Sequence, residues 1–174
     1  MSHDFIIANA LTHRRELIEL NIEYLTWVLN GIEEYFGIPA DEVVGMPAAD
    51  YVPTVIDKVC GDPPPKGIFY MLDVDGSIAG MGGLRFVRPG AAEVKRIYVR
   101  PAYRGRKLGE VLLNRVISDA RDFGYEKLLL DSGPFMRSAQ HMYESVGFKD
   151  CEAYDGTEVP LALRDRWRFM KRDL

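Results

Sequence analysis

No apolar run in this chain approaches the roughly 18 residues that a bilayer-spanning helix needs, so a helical membrane protein is not expected. Cysteine is scarce. Cys60 and Cys151 are the only 2 among 174 residues, and neither has a second Cys or a His nearby at ligand spacing. The 3 histidines, His3, His13 and His141, are equally scattered. A zinc site is not expected, and a chain of this size needs no disulfide. Positive charge is also short: 22 Lys and Arg against 26 Asp and Glu leave a net charge of −4. Nucleic acid and membrane surfaces are therefore not expected partners, since phosphate-rich surfaces select for an excess of Lys and Arg. The opening Met1-Ser-His-Asp-Phe-Ile-Ile7 lacks the basic start and apolar stretch of a signal peptide. A cytoplasmic protein is the expectation.

What is present is an ordinary globular composition, 47% hydrophobic and 28% charged. There is no internal repeat, low-complexity tract or linker. The run from Gly61 to Gly67, with prolines at 63 to 65, reads as a rigid loop. A single domain spanning 1–174 is expected, large enough for a real core.

Periodicity predicts the elements. Phe5 to Ala8 is a short strand. From Thr12 to Phe36 apolar residues recur at helical spacing, and Gly37 and Pro39 stop the helix. Asp50 to Val59 is a second helix, with Pro53 placed near its first turn. Ile68 to Val74 and Ile78 to Val87 are strands joined by the hairpin signal Asp75-Gly76. After a turn at Pro89-Gly90, Glu93 to Val99 is the next strand. Its alternation breaks at Lys95-Arg96, which indicates a bulge. Arg106 to Phe123 is an amphipathic helix closed by Gly124. Lys127 to Asp131 is a buried strand, Ser138 to Val146 a short helix, and Phe148 to Tyr154 and Trp167 to Lys171 the last strands. That order implies an α/β (α+β) fold: a mixed sheet of about seven strands flanked by four helices.

The chemistry concentrates where a strand runs through an Arg- and Gly-rich loop into a helix. The first amides of a helix have no internal partner and carry the positive end of its dipole. An anion placed there is hydrogen-bonded by backbone, and Arg104, Arg106 and Lys107 add charge. Read alone, the same residues also describe a solvated surface turn. The loop is neither a Walker loop nor a Rossmann fingerprint, because neither glycine pattern is present.

The wider segment Val94 to Gly109 resembles the acyl-CoA-binding signature of the GNAT superfamily of N-acetyltransferases. Downstream, Asp131-Ser-Gly133, Ala139, Tyr143-Glu144 and Gly147-Phe148 resemble that family's later motif. The resemblance covers about Ile68 to Cys151. It implies a mostly antiparallel twisted sheet splayed between its fourth and fifth strands. It also implies acetyl-CoA as acyl donor, with no metal. The family's phosphate loop, R/Q-x-x-G-x-G/A, falls on Arg104, Gly105, Arg106, Lys107, Leu108 and Gly109. Lys107 departs from the family, which usually has Gly there; its side chain either leans away from the pyrophosphate or pairs with it. The resemblance further implies that backbone groups of Ile97, Tyr98 and Val99 receive the pantetheine arm.

Acetyl transfer to an amine needs a base, a stabilised carbonyl oxygen and a proton for the leaving thiolate. By the resemblance Tyr143 is the acid, although periodicity alone makes it a core tyrosine. Glu93, at the position of the glutamate used by histone-type members, is the candidate base; a solvated strand-end glutamate is the alternative. Tyr24, Trp27, Glu33, Glu34, Tyr35 and Glu152 are candidates for the acceptor site; Glu33 and Glu34 could attract a cationic amine or equally be the solvated face of their helix, the commoner case. The expected activity is direct transfer of acetyl from acetyl-CoA to a primary amine of a small or amino-acid-like acceptor. A protein N-terminal or lysine acetyltransferase and a non-catalytic acyl-CoA sensor are the alternatives. Family members often dimerise through late strands, so a homodimer is compatible.

Overall fold

The computed structural model describes residues 2–174. Seven strands form one sheet in the order β1-β2-β3-β4-β5-β7-β6. They are β1 (His3–Ile7), β2 (Ile68–Val74), β3 (Ser77–Arg88), β4 (Ala91–Val99), β5 (Lys127–Ser132), β6 (Lys149–Cys151) and β7 (Arg168–Asp173). All neighbours run antiparallel except β4 and β5, which are parallel. The helices are α1 (Arg14–Phe36), α2 (Ala40–Val44), α3 (Ala48–Val59), α4 (Leu108–Asp122) and α5 (Arg137–Ser145). The expected mixed, mostly antiparallel sheet of seven strands is observed. The helices number five rather than four: α2 is a single five-residue turn between Pro39 and a left-handed Gly45, too short to carry a periodic signal. No helix among the described residues is long and apolar enough to cross a membrane.

Strand alternation sends side chains to two covers. On one face Leu112, Leu113, Val116 and Ile117 of α4 pack on Tyr70, Leu72, Val94, Leu128 and Leu130. On the other, Leu17 and Leu20 of α1 and Val52, Ile56 and Val59 of α3 pack on Phe69, Met71, Met81 and Tyr98. Each such fully buried side chain contributes about 1.5–3 kcal/mol. Strand ends shift by a few residues, and β6 covers only Lys149–Cys151 of the expected Phe148 to Tyr154; two helix starts also differ. The third helix begins at Ala48, with the Tyr51 amide donating to Pro47 O at 3.0 Å, so Pro53 lies inside it and not at its first turn. Helix α4 begins at Leu108 and not at Arg106, because Lys107 takes a left-handed φ of 59° that no helix can include.

The bulge is at Arg96, whose φ is 55°. Met81 pairs with Tyr98 and Gly83 with Lys95, so Arg96 and Ile97 together face the single residue Gly82. The extra residue shifts side-chain parity along β4. Lys95 and Tyr98 consequently turn to the α1 side, while Ile97 and Val99 pack with the α4 core. Gly82 leaves room for the Ile97 side chain, whose tip lies 2.6 Å from where a Cβ would be. Arg96 is anchored by Asn21 of α1: Nη1 donates to Asn21 Oδ1 at 2.7 Å, and Asn21 Nδ2 donates to Leu17 O at 2.8 Å. Asn21 is fully buried. Beyond the bulge, Arg100 clamps Glu23 of α1 at 2.8 to 3.1 Å.

Strands β4 and β5 pair only through Ala91 to Glu93 and Lys127 to Leu129. Past Glu93 the two diverge, and β4 has no strand on that side among the described residues. This is the expected splay.

Asn21→Ala should destabilise the fold by about 2 kcal/mol, the cost of removing a buried acceptor from a charged donor. The midpoint of urea unfolding measures it.

Candidate active site

The splay opens a cleft of about 540 Å³ between β4, the start of α4 and the start of α5. Of the residues expected to hold a cofactor, Ile97, Tyr98, Val99, Arg104, Gly105, Lys107, Leu108 and Gly109 line it, and Arg106 does not. Arg106 turns out over the Tyr103 ring, 5.4 Å from its centroid. The loop conformation explains its composition. Gly105 and Lys107 both have positive φ, 77° and 59°. In α4 the Val111 amide reaches Lys107 O at 3.1 Å. The amides of Leu108, Gly109 and Glu110 precede the first such bond and aim out of the helix end. Arg104 folds back: its Nε donates to Val99 O at 3.0 Å, and its guanidinium lies 5.9 Å from the Trp27 ring and 5.8 Å from that of Tyr98. Trp27, expected on the acceptor side, therefore belongs to this cleft's wall. The cleft is a fit for a pyrophosphate with an extended arm: helix amides at one end, an unpaired strand edge along one side.

Phe135, Ala139 and Met142 form the opposite wall. Tyr143 stands behind them. Its ring is buried against Phe148, centroids 5.9 Å apart. Burial pushes its phenol well above the ordinary range, and nearby Tyr24 and Asp131 push the same way. The proton therefore stays on this hydroxyl across neutral pH.

A second cavity of about 560 Å³ lies on the other side of β4, under α1, α3 and the segment 158–163. Leu25, Leu29 and Val55 make it apolar on the helix side. Glu93, Lys95, Arg96, Asp131 and Glu158 make it charged on the sheet side. Met136 lines both cavities, so they meet there.

Most of those charges are matched. Glu93 is 3% exposed; its Oε1 accepts from Arg85 at 2.9 and 3.2 Å, and its Oε2 accepts from the Tyr154 hydroxyl at 2.7 Å. Lys95 pairs with Glu158 at 3.2 Å. Desolvation pushes Glu158 up, but the charge and hydrogen bond of Lys95, with the charges of Arg96 and Arg85, together outweigh it and leave the carboxyl below its ordinary value. Asp131 accepts one bond, from Trp167 Nε1 at 2.8 Å. Burial, reinforced by the Glu93 charge and opposed by the Trp167 bond, raises its carboxyl to about 7. Tyr24 is raised to about 12, chiefly by burial.

Tyr24 was expected here and lines this cavity. Glu33, Glu34 and Tyr35 do not; they lie exposed on the far side of α1. Glu152 lines a separate surface cavity. Asp131, Glu158 and Trp167 escaped sequence reasoning as site residues. The only local signal was a carboxylate closing the apolar run Leu128-Leu129-Leu130. Among the described residues no group of three or more His, Cys, Asp or Glu could hold a metal ion.

Comparison with known proteins agrees with this geometry. Residues 18–148 match the family model described as "Acetyltransferase (GNAT) family". An uncharacterized N-acetyltransferase of Schizosaccharomyces pombe is 37% identical over 110 residues, covering 62% of this chain and 68% of that protein. Two solved structures share the fold from end to end. An acetyltransferase of the GNAT family from Staphylococcus aureus superposes with a TM-score of 0.70, 23% identity and 99% of each chain covered. The PaiA N-acetyltransferase of Thermoplasma acidophilum, solved in complex with coenzyme A, gives 0.70 with 20% identity and 100% of each chain covered.

Lys107→Gly should raise stability by about 1 kcal/mol, because glycine occupies the left-handed region without steric cost. Urea unfolding of the free protein measures that gain.

Proposed function

The chain belongs to the acetyltransferase (GNAT) family, and on that premise we propose that it moves acetyl from acetyl-CoA to the primary amine of a small, largely apolar or amino-acid-like acceptor. The observation that carries this reading is the meeting of two cavities at Met136, on either side of the splayed β4. One suits a phosphate-bearing donor and the other an amine with an apolar body. The family's donor supplies a thioester carbonyl activated for attack.

The chain's own residues supply the rest. The amides at the start of α4 and the Lys107 ammonium hold the pyrophosphate. The free edge of β4 at Ile97, Tyr98 and Val99 takes the pantetheine arm as a further strand would. The Ile97 amide polarises the thioester carbonyl. Tyr143 gives its proton to the departing sulfur; burial keeps that proton in place across neutral pH, and its transfer is driven by the proton that nitrogen loses in the same reaction. Apolar residues of α1 and α3 seat the acceptor, and the carboxylates on the sheet side, the expected base Glu93 among them, attract its ammonium. Transfer is direct. No acyl-cysteine is needed: Cys151 has no histidine partner among the described residues, and burial raises its thiol above the ordinary value.

Free-thiol release from acetyl-CoA across hydrophobic amino acids, arylalkylamines, polyamines and a lysine peptide tests the reading. Turnover is expected on a small amine. Tight CoA binding with no turnover on any of them would make the protein an acyl-CoA sensor, and turnover on the peptide alone a protein acetyltransferase. Tyr143→Phe should lower kcat at least tenfold with CoA affinity little changed. Gly109→Asp, which sets a carboxylate beside the α4 amides, should weaken CoA binding at least tenfold by calorimetry; unchanged affinity would remove the phosphate from this loop.

A further inference from the structure

Deprotonation of the acceptor needs a carboxylate with a lone pair to spare. Three carboxylates line the acceptor cavity: Glu93, Asp131 and Glu158. Glu93 has both oxygens engaged, by Arg85 and by Tyr154. Glu158 is paired with Lys95. Asp131 alone has no cation within ion-pair distance among the described residues. Its Oδ1 is fixed by Trp167. Its Oδ2 has no partner there, and no buried side-chain polar atom is left unpaired, so Oδ2 is reached from the cavity it lines.

The sheet places Asp131 beside the point where β4 and β5 part. Leu129 is the last residue of β5 paired to β4, opposite Glu93, and Asp131 follows it on the same face, at the mouth of the splay. Met136, common to both cavities, lies five residues further on. Asp131 is also near enough to Tyr143 for its charge to raise that phenol.

We propose that Asp131, and not Glu93, is the general base: its Oδ2 takes a proton from the acceptor's ammonium group, while the Trp167 N–H holds the carboxylate in position. The assignment rests on the acetyl-transfer reading above. The amine so freed forms a bond from nitrogen to the thioester carbonyl carbon, and the carbon–sulfur bond breaks. Sulfur gains the Tyr143 proton, Tyr143 is replenished by the second proton lost from nitrogen, and Asp131 returns its own to water.

The surroundings suit that task. Glu93 from β4, Glu158 from the segment after β6, Arg85 from β3, and the Trp167 bond all bear on Asp131. The phenols of Tyr24, Tyr143 and Tyr154 also face it and stay protonated, each raised chiefly by burial. A carboxyl at about 7 is poised to accept and release protons near neutrality. Since the base acts when ionised, kcat should rise with pH through about 7 and then level.

The experiment is the pH profile of kcat with acetyl-CoA and the best amine of the panel, alongside carbon-13 NMR of the free protein labelled at Asp carboxyls. Asp131→Asn should lower kcat at least 100-fold, with CoA affinity kept. One carboxyl resonance, absent from that variant, should titrate near 7. Trp167→Phe removes the bond that favours the ionised form, so its acidic limb should move to higher pH; Glu93→Gln removes a repelling charge, so its limb should move lower. Turnover in the wild type with an acidic limb unchanged in Asp131→Asn overturns the assignment alone. So does an Asp131 resonance titrating in the ordinary carboxylate range. No turnover by the wild type on any amine overturns the acetyl-transfer reading and this assignment with it.

Discussion

The site depends on one distortion, the left-handed residue Arg96 in the middle of β4. A regular strand would carry Lys95, Ile97 and Val99 on one face. The extra residue reverses that parity, so Tyr98 turns toward α1 and Ile97 toward α4. It also bends the strand away from β5, which is why their pairing ends at Glu93. A conformation of this kind costs of order 1–3 kcal/mol and persists only where the surroundings over-determine it. Here Asn21 below and the Arg100–Glu23 clamp beyond do so.

The two cavities are the two consequences of that bend. On the β5 side the freed edge of β4 and the amides of α4 leave backbone polar groups facing one cleft, a surface for a phosphate and an extended chain. On the α1 side the same strand presents charged residues to a helical cover that is almost wholly apolar. Such charges are tolerable only if paired, and the pairs Arg85–Glu93 and Lys95–Glu158 meet that demand. Among the carboxylates Asp131 is the exception. An unpaired carboxylate in a largely enclosed place keeps its proton to higher pH, which turns a structural liability into a proton acceptor.

Much of the architecture was legible because its signals are local. The hairpin at Asp75-Gly76, the apolar stripe of α4 and the broken alternation at Lys95-Arg96 each report a backbone preference that neighbours a few residues away determine. The conformation of the loop from Arg104 to Gly109 was legible for the same reason, since helix amides and left-handed turn residues are adjacent in sequence. Lys107 looked out of place there, and its φ of 59° supplies the reason glycine is usual at that position. Boundaries were less visible. Pro53 sits inside a helix whose start is set by packing of Val52, Ile56 and Val59, not by the proline's own preference.

The acceptor side was legible only in outline. Tyr24 lines the cavity, while Glu33 and Glu34 prove to be a solvated helix face, because their helix phase points them to solvent and nothing local says which helix face meets the sheet. Asp131 and Trp167 lie 36 residues apart and touch through a single 2.8 Å bond that exists only once β7 has inserted beside β5. By itself the sequence determined most of the elements, the bulge and the turn that opens α4, because each is encoded within a few consecutive residues. Tertiary structure alone decided which carboxylates are paired and which one is left to take a proton, because pairing and desolvation are properties of residues brought together from five separate parts of the chain.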